Sequence, residues 1–120
     1  MLRCGIDMIE IQRVEAGIDR LGERFLNRFF TPGEREDCAD QPHRLAARLA
    51  AKEAVAKALG TGIGEVGWRD IEIRCNNERG RPTLTLYGAA VRVAAELSIS
   101  QWDVSLSHTK EYASAVAVAL

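Results

Sequence analysis

The chain has 120 residues, 47% hydrophobic side chains, and 16 Lys+Arg against 17 Asp+Glu. That length suits one hydrophobic core and argues against a site built in a cleft between two domains. A net charge of -1 gives no general attraction to nucleic acid, and no apolar run reaches the roughly 18 residues of a membrane span, so neither partner is expected.

Met1 is followed by Leu-Arg-Cys-Gly-Ile-Asp, without a signal peptide's basic and apolar regions, which points to the cytoplasm. The apolar start from Leu2 to Ile9 predicts a strand carrying Asp7, with Glu10 just beyond it. From Glu10 to Phe30, Ile11, Val14, Ile18, Leu21 and Phe25 recur by threes and fours, which predicts one amphipathic helix, weakened by Gly17 and Gly22. Thr31-Pro32-Gly33-Glu34 has the form of a capping box and predicts a short helix over 32–38. An alanine-rich stretch from His43 to Leu59, stopped by Gly60-Thr61-Gly62, gives the strongest helix signal. Ile71, Ile73 and Cys75, then Leu84 and Leu86, alternate on either side of turn residues 76–82 and predict an antiparallel hairpin. A helix over 89–97 and a second hairpin, from Trp102 to Leu106 and from Tyr112 to Leu120, complete the chain. The order is α+β: antiparallel strands around a long buried helix, in a single domain over 1–120.

Cys4, Cys38 and Cys75 are odd in number and widely spaced, so they are expected as buried free thiols. On the alanine-rich helix, Glu53 and Lys57 lie four residues apart on a stripe otherwise made of Ala46 and Ala50, where small neighbours permit close approach. Two readings stand: an ordinary i,i+4 ion pair on a solvated face, or a hard-metal ligand beside a phosphate contact. Asp7 is an acid in an apolar strand; it either caps the following helix or joins Glu53 as the second of two carboxylates, the number with which proteins commonly hold magnesium. Along the first long helix Arg13, Arg20, Arg24 and Arg28 fall on one flank and Glu15, Asp19 and Glu23 on the other, a segregation suited to an acidic protein helix. Ser107-His108 at a strand end suits a phosphate or nucleobase; it lacks the Gly-x-Ser-x-Gly elbow of a serine hydrolase.

Together these residues resemble the holo-[acyl-carrier-protein] synthase family of 4'-phosphopantetheinyl transferases. Four blocks carry the resemblance: Gly5 to Glu10 with Arg13, Arg24 to Glu34, Arg48 to Gly62, and Val104 to His108. Leu49 departs from the pattern, which has Phe there, and both are apolar. The resemblance implies transfer of the phosphopantetheine arm of coenzyme A to a serine of apo acyl carrier protein in fatty acid biosynthesis, a branch of lipid metabolism, releasing adenosine 3',5'-bisphosphate. It implies Mg2+ on Asp7 and Glu53, with Asp7, Glu53 and Lys57 as catalytic residues. Arg48, Lys57, Gly60, Gly62, Ser107 and His108 would bind coenzyme A, and Arg13, Arg20, Arg24 and Arg28 would dock the carrier. It further implies a homotrimer with sites between subunits. The competing readings are a non-catalytic module that binds an acidic helix, and a small metal-dependent phosphatase.

Overall fold

A computed structural model describes residues 1–75 and 80–120; of the turn expected over 76–82, residues 76–79 lie outside the described set. The long helix α4 (Pro42–Leu59) is the axis of the molecule, with Pro42 in its first turn and Gly60 ending it in the left-handed region at φ 80°. Most of α4 is buried, which its many alanines, with Leu45, Leu49, Val55 and Leu59 among them, permit.

One flank of α4 packs on a three-stranded antiparallel sheet in the order β1-β5-β4. In it, β1 (Arg3–Glu10) and β4 (Trp102–His108) flank β5 (Tyr112–Ala119), with Asp7 opposite Ala115 and His108 opposite Ala113. The inward residues of β5 are Ala113, Ala115, Ala117 and Ala119, all buried, so the sheet comes close to the helix. Gly5 of β1 is tighter still: a methyl group there would overlap the carbonyl oxygen of Ala54. The stripe of small residues on α4 therefore serves the close approach of strands, and Ala46 and Ala50 are fully buried. On the outer face of the sheet, Ile6 and Met8 are 66% and 65% exposed.

The second sheet is the expected hairpin, β2 (Ile71–Arg74) paired with β3 (Thr83–Leu86), entered through a single 3-10 turn at Trp68–Asp70. Helix α5 (Gly88–Glu96) joins it to β4. Val66, Ile71, Ile73, Ala90 and Val93 pack with Ala54, Val55 and Leu59 of α4 into one half of the core. Ile11, Val14, Leu26, Phe30 and Cys38 pack with Leu45, Ala46 and Leu49 into the other.

One expected helix is two. The segment from Glu10 to Phe30 breaks at Gly22 (φ 54°) into α1 (Ile11–Leu21) and α2 (Glu23–Phe29). The break lets α2 fold back so that the Phe25 ring lies over Gly17, where a Cβ would overlap it. Gly17 and Gly22 are thus a close approach and a turn, and a single helical wheel across both segments does not hold. Helix α3 (Pro32–Cys38) begins with the expected capping box: the Glu34 amide donates to Thr31 Oγ1 at 3.2 Å and the Thr31 amide to Glu34 Oε1 at 2.9 Å. All three cysteines are free, but only Cys38 is buried; Cys4 is exposed and Cys75 intermediate, because Cys4 falls on the outer face of β1. Burial pushes the Cys38 thiol up to about 11.

Candidate active site

Strand alternation sends Gly5, Asp7 and Ile9 towards α4 while Cys4, Ile6 and Met8 face outward. Asp7 does not cap α1; the residue before that helix is Glu10, whose side chain makes no capping bond. Instead Asp7 Oδ1 lies 3.2 Å from Lys57 Nζ, which also donates to the Ile6 carbonyl at 2.9 Å. Glu53, one turn back along α4, shares the same edge. Burial, then the negative charge of Asp7, push the Glu53 carboxyl above the ordinary carboxylate range, against the pull of Lys57. Two carboxylates close enough to repel, with only one lysine beside them, form a donor set suited to a hard divalent cation. Among the described residues no cluster of three or more His, Cys, Asp or Glu supplies a full coordination shell. A cation here would take most of its ligands from water and substrate, as magnesium commonly does.

These groups open onto a cavity of about 510 Å3 between β1, α1, α2 and α4. Asp7, Glu53, Lys57 and Arg13 form its polar side, and Phe25, Phe29, Leu49 and Trp68 its apolar side. Phe29 lies against Phe25 at 4.7 Å with the rings tilted by 48°, and meets the Trp68 ring edge-on at 5.0 Å. Nothing in the sequence marked Trp68, a lone aromatic after the glycine-rich stretch from Gly60 to Gly67.

Its place is fixed by a buried ion pair that the sequence also concealed. Lys52 Nζ lies 2.6 Å from Glu34 Oε1, both side chains fully buried, and donates to the Trp68 carbonyl at 2.9 Å. Glu34 accepts in addition from the amides of Thr31 and Ile73. Burial pushes the Glu34 carboxyl up and the Lys52 ammonium down, and each partner resists the other's neutralisation. The signals were a capping-box glutamate and a lysine among alanines, each with an ordinary local explanation.

A second cavity, of about 540 Å3, lies at the other end of α4. Arg48, Ser107 and His108 line it together, as do His43, Arg44 and Arg81, which had no assigned role in the sequence reading. Gly60 and Gly62 sit beyond the C-terminus of α4, Gly60 beside the Arg3 guanidinium, which donates to the Ala58 carbonyl. At 1.5 Å per residue Arg48 and Gly60 are separated along the helix by roughly 18 Å within one chain. Arg13, Arg20, Arg24 and Arg28 are all exposed, two on α1 and two on α2, so they span a bent surface. Arg28 lies over the Phe29 ring at 5.4 Å. No helix among the described residues is long and apolar enough to cross a membrane.

With a carboxylate pair and a separate basic cavity placed on this α+β frame, comparison with known proteins assigns the class. The family model of the 4'-phosphopantetheinyl transferase superfamily matches residues 3–117, and the chain belongs to that superfamily. Within it the likeness is to the holo-[acyl-carrier-protein] synthases. The chain is 46% identical to the one from Herpetosiphon aurantiacus over 100% of this chain and 99% of that one. It is 50% identical to the one from Dehalococcoides mccartyi, over 99% and 98%. The crystal structure of the Helicobacter pylori synthase in complex with coenzyme A superposes with a TM-score of 0.88 at 35% identity, covering 98% of this chain and 99% of that one. The protein is accordingly an enzyme, a phosphopantetheinyl transferase of the holo-[acyl-carrier-protein] synthase kind.

Proposed function

We propose that this chain, as one domain over residues 1–120, moves 4'-phosphopantetheine from coenzyme A to a serine of the apo acyl carrier protein of fatty acid biosynthesis, in the cytoplasm and with Mg2+ as cofactor. The observation that carries the site assignment is the approach of Asp7 and Glu53, from a strand and a helix, at the edge of one cavity with Lys57 between them. Asp7 and Glu53 would hold the metal, which when bound neutralises charge on the coenzyme A pyrophosphate. Lys57 has three N–H donors and uses two within the chain, leaving one for a phosphate oxygen of the departing adenosine 3',5'-bisphosphate. Glu53, or a water it orients, accepts the proton of the carrier serine as the serine oxygen forms its bond to the β-phosphorus and the bond to the α-phosphate oxygen breaks.

Arg48, Ser107 and His108 would hold the nucleotide end of coenzyme A, and Lys57, Gly60 and Gly62 the pyrophosphate end. Their separation along α4 supports a site shared by neighbouring copies, and the uncovered apolar face of β1 at Ile6 and Met8 supports the homotrimer that sharing needs. Arg13, Arg20, Arg24 and Arg28 would dock an acidic helix of the carrier, with Arg13 also reaching the catalytic cavity. The test combines the chain, coenzyme A, Mg2+ and apo carrier: the carrier gains the mass of phosphopantetheine. No gain, on a carrier that a known synthase modifies, refutes the proposal. A module that only binds an acidic helix shows no Mg2+-dependent affinity for coenzyme A.

A further inference from the structure

Among the described residues the arginines divide by what they hold. Arg35, Arg74, Arg81 and Arg92 each pair with a carboxylate of the chain. Arg44 and Arg48 line the basic cavity, and Arg3 meets the end of α4. Arg13, Arg20, Arg24, Arg28 and Arg69 are exposed and pair with no carboxylate of the described residues. The first four form the docking set proposed above, and Arg69 has no assignment. It sits in the turn Trp68–Asp70, where the nearest acids in sequence are already used: Asp70 accepts from the Gly67 amide, and Glu72 from the Thr31 and Tyr87 hydroxyls. Its Nη1 reaches only the Asn27 carbonyl on α2, at 3.5 Å, the outer limit of a hydrogen bond, so most of its N–H donors stay free.

We infer that Arg69 is a further carrier-docking residue, which carries the arginine surface of α2 onto the Trp68 turn and grips a carboxylate of the carrier's acidic helix. The inference rests on the reading of Arg13, Arg20, Arg24 and Arg28 as that docking surface. Position supports it. Arg28 precedes Phe29 and lies over its ring at 5.4 Å, and Arg69 follows Trp68, whose ring meets Phe29 at 5.0 Å. The two arginines thus border an aromatic pair that lines the cavity holding Glu53, where the carrier serine has to arrive. Rigidity supports it as well. The turn is held by Lys52 on the Trp68 carbonyl at 2.9 Å, by the Asp70 amide on the Gly67 carbonyl, and by the Tyr87 amide on the Asp70 carbonyl. A backbone already ordered lowers the cost of fixing its side chain on a partner. Carboxylates recurring every three or four residues along an acidic helix lie about 5 to 6 Å apart, a ladder that Arg24 and Arg28 match on α2 and Arg69 extends.

Steady-state kinetics of the full chain, with apo carrier and coenzyme A varied in turn at low salt, separate docking from a mere staple between turn and helix. Arg69→Glu should raise the KM for carrier about tenfold and Arg69→Ala about threefold, with kcat, the KM for coenzyme A and Tm little changed. Arg69→Lys keeps the charge and should stay within about twofold of the parent. The effect of Arg69→Ala should fade at about 0.5 M salt, where exposed charges are screened within a few ångströms, and an effect that persists there overturns the inference. So does Arg69→Glu leaving the KM for carrier unchanged, or raising both KM values equally, while Arg13→Glu raises that for carrier alone; the docking surface then stands without Arg69. A KM for carrier that neither reversal moves removes the docking surface and the inference together.

Discussion

Helix α4 carries two lysine–carboxylate pairs five residues apart, and they are opposites. Lys52 and Glu34 are sealed from water, 2.6 Å apart, and further hydrogen bonds tie them to the backbone of Thr31, Ile73 and Trp68. Lys57 and Asp7 are 3.2 Å apart and open to a cavity, with a second carboxylate, Glu53, crowding them. The first arrangement consumes its own charge and so fixes geometry. The second leaves one carboxylate, Glu53, in excess of the Lys57–Asp7 pair, and in the proposed mechanism that excess holds something the chain does not contain.

The sharpest way to break this comparison is to remove the excess. Asp7→Ala and Glu53→Ala should each lower carrier modification by more than about 1,000-fold while circular dichroism and unfolding stay near those of the parent. Substantial activity in either variant would withdraw the metal assignment. Lys52→Met should do the reverse, lowering stability by about 3 to 5 kcal/mol in denaturant titration because a buried carboxylate loses its partner. Removing both ions together, in Lys52→Met/Glu34→Leu, should recover part of that loss; a double variant less stable than the single one would show that Glu34 acts mainly through its backbone bonds. Reversing charge with Arg13→Glu or Arg20→Glu should raise the KM for carrier about tenfold and that for coenzyme A little, and equal effects on both would remove the docking role.

The smallest effect sharpens the comparison through pH. The Glu53 carboxyl lies above its unfolded-state value, so its contribution to stability is present when it is protonated, at low pH, and is lost as pH rises through the folded value. At neutral pH its charge is therefore a burden on the metal-free fold. Glu53→Gln should raise the metal-free Tm at pH 7, by on the order of 1 to 2 °C, and the gain should vanish below the carboxylate range. Asp37 has the other sign. Hydrogen bonding and charge from Arg74, joined by the Cys75 amide, hold its carboxyl below the usual range. The support it gives between α3 and β2 is lost as pH falls through that lowered value.

Much of the fold was legible because its signals are local. Period-two apolar residues marked the strands, and Gly60 marked the end of α4. Gly22 was visible as a weakness but not as a turn, since only the packing of Phe25 on Gly17 decides between a strained helix and two short ones. Asp7 and Glu53 were legible only as candidates, because a helix cap and an i,i+4 pair with Lys57 were open as local uses, and the contact of Asp7 with Lys57 across the fold is what decides against the cap. Lys52, Glu34 and Trp68 were not, since their meaning lies in contacts across the core from Thr31 to Ile73. The arginine flank read from one wheel survives as an exposed set, but on two helices of different direction.

Gly5 has a consequence for the proposed ion. It stands two residues before Asp7 on the same face of β1, and it touches the backbone of Ala54, the neighbour of Glu53. Backbone resting on backbone thus acts as a spacer gauge for the gap between the two carboxylates. Gly5→Ala would widen that gap by about 1 Å, since its methyl has nowhere to retreat. If the two carboxylates hold Mg2+ as proposed, the altered enzyme should then favour a larger ion, and ionic radius would be selected by a residue that offers the metal no ligand atom.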